Sequence, residues 1–185
     1  MKRIININRS AFVMLLLLFT GMQLFSNAQT KMSKMGTQNM INNPEDEAAI
    51  RELEDRFAAA LNAGDVDAMM KNYVQDESLV FFDVVPREEY RGANAYRKDW
   101  VGFFSHFQGK PKFSITDLGI TVDGDLGFSH SFQHVKGTDT HGHSVDRTVR
   151  VTDGYRKING KWLIMLEHVS MPVDLATGKV APITK

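Results

Sequence analysis

The chain has 185 residues, room for one ordinary domain and hardly two, with 43% hydrophobic and 24% charged residues. Those proportions are close to soluble globular usage and argue against disordered, collagen-like and membrane classes. Lysine plus arginine and aspartate plus glutamate each number 22, so the basic excess of a nucleic-acid binder is missing. Cysteine is absent, which excludes disulfides, thiolate catalysis, cysteine-ligated zinc and a lipidated N-terminal cysteine.

Lys2, Arg3 and Arg9 make a positive start, followed by an uncharged apolar run over residues 11–25 centred on Leu15, Leu16, Leu17 and Leu18. Ser26, Asn27 and Ala28 then place small residues around a polar one before Gln29. This is the grammar of a secretory signal peptide over residues 1–28, with cleavage after Ala28. The alternative is an uncleaved anchor, but the core is shorter than the ~20 apolar residues a spanning helix wants and is broken by Gly21 and Gln23. Export to the periplasm or beyond is therefore expected, with no stable membrane anchor after cleavage. Losing three of the 22 basic residues leaves 19 against 22 acidic ones, a net charge of −3. Residues 29–42 are polar and methionine-rich without periodicity and read as a flexible leader.

The domain starts at Asn43, a capping residue followed by Pro44 and by Glu45 and Asp46 at the positive end of a helix. Ile50, Leu53, Phe57, Ala60 and Leu61 recur at helical spacing. Gly64 ends that helix, and Asp65 caps a short second one reaching residue 74. The β-branched and aromatic run over 78–85 predicts a strand ending at Pro86. Residues 92–107 return to helical spacing, with Tyr96, Trp100, Phe103, Phe104 and Phe107 on one face, and Gly109 and Pro111 end the element. Strands follow over 112–122, 126–136, 145–158 and 161–171, joined by Asp123-Gly124, a polar turn over 138–142, and Asn159-Gly160. Within the second of these, Leu126, Phe128, His130, Phe132 and His134 share a face. The order α-α-β-α-β-β-β-β predicts an α+β fold with helices on one face of an antiparallel sheet.

The run Arg56-Phe57-Ala58-Ala59-Ala60-Leu61-Asn62-Ala63-Gly64-Asp65-Val66-Asp67 resembles the opening helix pair of ketosteroid isomerase-like proteins, the SnoaL-like branch of the nuclear transport factor 2-like superfamily. Tyr90-Arg91-Gly92, the segment from Arg150 through Gly154-Tyr155 to Lys157, Asn159-Gly160-Lys161-Trp162, and Glu167-His168-Val169-Ser170-Met171-Pro172 agree with it. The resemblance spans residues 43–179 and leaves 180–185 as a C-terminal tail. It implies a cone-shaped curved antiparallel sheet packed against three N-terminal helices, an apolar pocket inside the cone, and a homodimer. It implies no single reaction, because members include isomerases, cyclases, dehydratases and binding modules.

Two acids carry the candidate chemistry. Asp83 lies in an apolar strand and shares a face with Leu79, Phe81 and Val85. It is similar in place to the base aspartate of ketosteroid isomerases, and desolvation in a pocket would make it a better proton acceptor. The alternative is an acid bonded to nearby backbone amides or to Arg87. Asp153, ahead of Gly154-Tyr155-Arg156, resembles the protonated aspartate that, with a tyrosine, binds the oxyanion in those enzymes. The alternative is a salt bridge to Arg147 or Arg150. The tyrosine itself is replaced by Phe57, and losing such a donor costs ~10²–10³ in rate.

The resemblance and the spacing together nominate Phe57, Tyr73, Trp100, Phe104, His130, Phe132 and His168 as substrate-contacting residues. His130, between Phe128 and Phe132, is either a polar group in the cavity or a core histidine bonded to a carbonyl, and His168 has a place at the pocket mouth. His130 and His134 lie ~13 Å apart along their strand, too far to share a metal, and His141-Gly142-His143 sits in a turn. No cofactor and no metal are expected, and the partner expected is a small apolar ligand, with no nucleic acid. Two functions remain: an exported enzyme moving a proton beside a carbonyl, with Asp83 as base and Asp153 or a histidine stabilising the enolate, or a non-catalytic ligand-binding or dimerisation module.

Overall fold

The computed structural model describes residues 43–85 and 89–183. The signal peptide and leader expected over residues 1–42 lie outside the described residues.

Helix α1 (Pro44–Ala63) begins as its sequence dictates: the Asn43 side chain accepts the Glu45 N–H at 3.1 Å, and Gly64 at φ 67° closes the far end with its N–H on the Ala60 and Leu61 carbonyls. Helix α2 (Val66–Met70) is capped by Asp65, which accepts the Ala68 N–H at 2.9 Å, and stops four residues earlier than the sequence suggests. Strand β1 (Val80–Phe82) is shorter than the run of β-formers around it. The Val84 N–H turns back onto the Asp83 carboxyl at 2.6 Å, a local bond that competes with the sheet ladder. Strand β2 (Tyr90–Arg91) and helix α3 (Ala93–Ser105) follow. The long strands are β3 (Lys112–Asp123), β4 (Leu126–Thr138), β5 (Ser144–Ile158) and β6 (Lys161–Ser170). A small hairpin of β7 (Val173–Asp174) and β8 (Lys179–Val180) forms a separate sheet. The Asn159-Gly160 turn between β5 and β6 has positive φ at both residues, 50° and 77°, as the tight hairpin turn requires.

The main sheet runs β2-β1-β6-β5-β4-β3. The fold class is α+β as expected, yet the sheet is mixed: β1 pairs in parallel with β6, Val80 opposite Leu166 and Phe82 opposite His168. The reason is the connection. A crossover through β2, α3 and three strands brings β6 alongside β1, and a crossover carries no preference for antiparallel pairing, whereas the hairpins do. Two irregularities bend the long strands. Asp117 and Leu118 of β3 stand against the single Ser131 of β4, one extra residue in that register, and Met165 is the extra residue where β6 passes from Tyr155↔Ile164 to Gly154↔Leu166.

The core lies between α1 and one sheet face, around Ile50, Leu53, Phe57, Leu61, Tyr155 and Ile164. One polar clamp fixes the start of α1 to the sheet. Asp46 Oδ1 accepts from Lys157 Nζ at 2.7 Å and from Trp162 Nε1 at 2.9 Å, and the Lys157 bond holds the carboxyl below the usual aspartate range. Asp46→Ala would strand the buried indole N–H, and a loss of about 1–3 kcal/mol is expected by urea denaturation. Asp46→Asn keeps an acceptor and should lose less; equal losses would show that the clamp acts only through Lys157.

Candidate functional site

A cavity of about 280 Å³ opens between α3, the end of β1 and the inner face of β3–β6. Its walls are mostly aromatic and β-branched, with Phe81, Trp100, Phe103, Phe107, Phe113 and Val149 prominent. Against these stand the carboxyls of Asp83, Asp99 and Glu167, with Gln133 and Arg147. A wider groove of about 770 Å³ runs beside α1 and α2, lined by Ala49, Ala59, Ala63 and Ala68, but its Glu52 and Arg56 pair with each other at 3.3 Å and no buried carboxyl faces it. Of the two, the smaller is therefore the one that a buried carboxyl faces, which makes it the candidate site.

Glu167 dominates its interior. It is 4% exposed, and its two carboxyl oxygens accept the hydroxyls of Tyr73 and Tyr96 at 2.6 Å each. Burial pushes it up to about 7; the two phenol bonds work against that shift, and the charges of Glu54 and Asp83 add to it. Asp83 is half-buried at the end of β1. Burial raises it above the usual aspartate range, the Val84 N–H opposes this, and neighbouring Asp99 raises it further. The pair has the properties acid–base work needs: one carboxyl able to take a proton, and another that holds one near neutral pH.

Asp153 is buried and raised well above its ordinary range, by burial first and then by Glu54 and Glu167. Ser129 Oγ donates to its Oδ2 at 3.4 Å, its Oδ1 has no partner among the described residues, and neither Arg147 nor Arg150 pairs with it. It sits one strand over from Glu167, in register with it, and is not part of the cavity wall. Behind it, Tyr155 donates its hydroxyl to Glu54 at 2.6 Å and shares a 2.8 Å bond with Ser129. Burial, foremost, pushes Glu54 up to about 7 as well.

Of the residues nominated from the sequence, Asp83 and Trp100 lie on the cavity wall. Phe57 and Tyr73 lie behind it: Phe57 makes edge-to-face contacts with Tyr73, Trp100 and Phe113, and Tyr73 is wholly buried on Glu167. Phe104 packs beside Phe103 and Trp100 away from the wall. His130 and Phe132 are corrected to the opposite sheet face. On β4 it is Ser129, Ser131 and Gln133 that are buried, at 0%, 4% and 7% exposure, so the alternating His130 and Phe132 point outward. His130 lies over Gly119, leaving no room there for a Cβ. His168 is exposed too, edge-on to Phe82 on the outer face. The bulge at Met165 explains it: continuing the alternation from Trp162 and Ile164 would turn His168 inward, and one extra residue presents Glu167 instead.

Glu167, Glu54 and Asp99 were not singled out from the sequence. Glu54 had a signal, since it occupies the inward position four after Ile50 and three before Phe57. Glu167 had none, because its facing depends on the bulge. The His141–His143 turn is organised by Asp139, which accepts both backbone N–H groups at 2.8 Å. Among the described residues, no cluster of three or more His, Asp or Glu is arranged to hold a metal, and no helix is long and apolar enough to cross a membrane.

Several solved structures share this architecture. An NTF2-like protein of unknown function from Pseudomonas putida KT2440 is 27% identical, with a TM-score of 0.69 over 77% of this chain and 98% of its own. A candidate aromatic ring hydroxylase from Novosphingobium aromaticivorans matches at 20% identity and TM-score 0.63, over 71% of this chain and 93% of its own. A candidate dehydratase of the NTF2-like family from Streptomyces avermitilis matches at 17% identity and TM-score 0.59, over 70% and 97%. At those last two identities the likeness is one of fold. No curated protein matches the chain. The family model for the SnoaL-like domain matches residues 50–174. From within α1 through the bulged β6 that carries Glu167, the chain belongs to the SnoaL-like domain family of the NTF2-like superfamily.

Proposed function

We propose that this is an exported small-molecule enzyme that moves a proton beside a carbonyl, with Asp83 as the base and Glu167 as the acid facing the developing oxyanion. The supporting observation is the placement of both raised carboxyls on one apolar cavity wall. A scaffold gains nothing from holding acids out of water, so their presence favours chemistry. Asp153, for which the oxyanion role was expected, lies in register behind Glu167, and after burial and Glu54 the charge of Glu167 raises the affinity of Asp153 for a proton. Export follows from the signal-peptide grammar of residues 1–28. A homodimer is part of the same proposal, formed on the outer sheet face where Phe128 is 51% exposed; light scattering of the full chain tests it, and a monomer would refute it.

The test of the chemistry is solvent deuterium uptake into a panel of small cyclic ketones and enones, followed by NMR. The wild type should exchange protons beside the carbonyl faster than buffer, and Asp83→Asn should lose about 10²–10⁴-fold. Uptake no faster than buffer across the panel would favour the second reading, a non-catalytic ligand-binding module. That reading has its own support in Phe57, which brings a ring without a hydroxyl to the position where isomerases keep a tyrosine.

A further inference from the structure

The cavity wall has two electrical ends. Asp83, Asp99 and Glu167 are its acids, and Asp99 acts on Asp83 as Asp83 acts on Glu167, so the three are neighbours. The single cation among the described lining residues is Arg147. It belongs to β5, on the face that carries Val145 and Val149, and is therefore a charge inserted into an apolar inward row. Glu167 is in register with Asp153, six residues further along β5, which puts about 20 Å of strand between Arg147 and the buried acid. Arg147 is exposed, where Met171 also borders the cavity, so it stands at the mouth while Glu167 stands at the floor.

No carboxylate pairs with Arg147 among the described residues. Its own contact is a 3.2 Å bond to the Asp146 carbonyl, and the Asp146 side chain is taken by His134 at 2.7 Å and Lys136 at 3.4 Å on the other face. An arginine offers a planar fork of donors that suits a carboxylate, and here that fork borders an aromatic cavity. The cavity is slightly below the size range of drug-sized sites, so the body of its ligand is one or two rings.

We propose that the ligand of this cavity is a small ring-bearing carbonyl compound that carries a carboxylate, held at the mouth by Arg147, with its ring on Trp100 and Phe103 and its carbonyl end toward Asp83 and Glu167. This rests on the reading of the cavity as the substrate site and names the class of molecule it takes. The acids at the floor repel the carboxylate and Arg147 attracts it, so the two ends of the wall fix which way round the ligand enters.

The experiment is calorimetric titration of the full chain with three probes of one shape and different charge: 2-naphthoate, 2-naphthamide and 2-naphthylmethylammonium. Wild type should bind the carboxylate about tenfold or more tighter than the amide. Arg147→Gln should abolish that preference and leave the amide affinity unchanged; the residue's exposed position makes the fold tolerant of the change. Equal binding of carboxylate and amide, or a preference that survives in Arg147→Gln, would overturn the proposal while leaving the cavity a binding site. Preference for the ammonium would overturn it in favour of the acids as the ligand's partners. Failure of all three probes to bind would remove the cavity reading itself, and this proposal with it.

Discussion

Raising the pH from 5 to 8 is expected to weaken the fold by several kcal/mol. Glu54 and Glu167 are both pushed up to about 7 in the folded chain, chiefly by burial, against an ordinary value of 4.5. Between those values the native state holds protons that the unfolded chain has already released, so stability falls as pH rises. The contribution is fully present below 4.5 and is lost through 7, on the order of 1.4 kcal/mol per pH unit for each proton held. Asp153, raised for the same reason, acts in the same direction. The two glutamates influence each other, so the protons leave as a set and the slope reports the group. Urea midpoints measured at intervals across this range should decline steadily, and Glu54→Gln with Glu167→Gln should flatten the decline. A midpoint that rises or stays level from pH 5 to 8 would show that these carboxyls are ionised in the native state. Below about pH 4 the sign reverses: Asp46, held low by Lys157, must then take up a proton, and the clamp at the start of α1 is lost.

Phe57→Ala is expected to cost about 3–5 kcal/mol, a fall in Tm on the order of 10 °C. Phe57 is 2% exposed and touches Tyr73, Trp100 and Phe113 edge-to-face, with centroids 6.0, 5.7 and 5.8 Å away. It thereby links α1 to the residue that holds Glu167, to the cavity wall on α3, and to β3. Truncation removes the transfer energy of the ring and leaves a void that these three neighbours fill only in part. Phe57→Leu refills much of the volume and should recover most of the stability. If alanine and leucine variants unfold at the same midpoint, the aromatic contacts rather than the volume are what matters. Water entering the void in the alanine variant would lower Glu167 toward its ordinary value, and a weakened Tyr73 bond would act the other way.

Much of the fold is legible in the sequence because its signals are local. Asn43, Pro44 and Gly64 set the limits of α1 by satisfying or lacking particular backbone groups, and Asn159-Gly160 sets a hairpin because both residues accept positive φ. The apolar stripe of α1 came out as buried, and so did Tyr96 on α3. The sequence also carries the family: the helix pair around Phe57 and the strand pair around Gly154 and Trp162 are enough to place the chain.

The candidate site was legible only where facing follows from simple alternation. Asp83 was found because the strand around it is otherwise apolar, and Trp100 because it shares a helical face with Tyr96. His130 and Phe132 were drawn into the pocket because apolar residues on one face of a strand look like an interior. The interior face of β4 is instead Ser129, Ser131 and Gln133, small and polar because it backs onto buried acids and a cavity. Alternation tells which residues go together and not which side they take. His168 and Glu167 exchanged roles through a single extra residue, Met165, which no pattern in β6 announces.

The sequence by itself determined the helices, the long strands, their order and the family, since each rests on hydrogen bonds and periodicities spanning a few residues. It did not determine the two-residue strands β2, β7 and β8, which are too short to carry a periodicity. The tertiary structure decided which sheet face became the interior, the parallel pairing of β1 with β6, and the gathering of Glu54, Asp153, Glu167 and Asp83. Those acids lie as far as 113 residues apart in the chain. Their raised proton affinity arises from shared burial, a property of the packed interior that no local segment possesses.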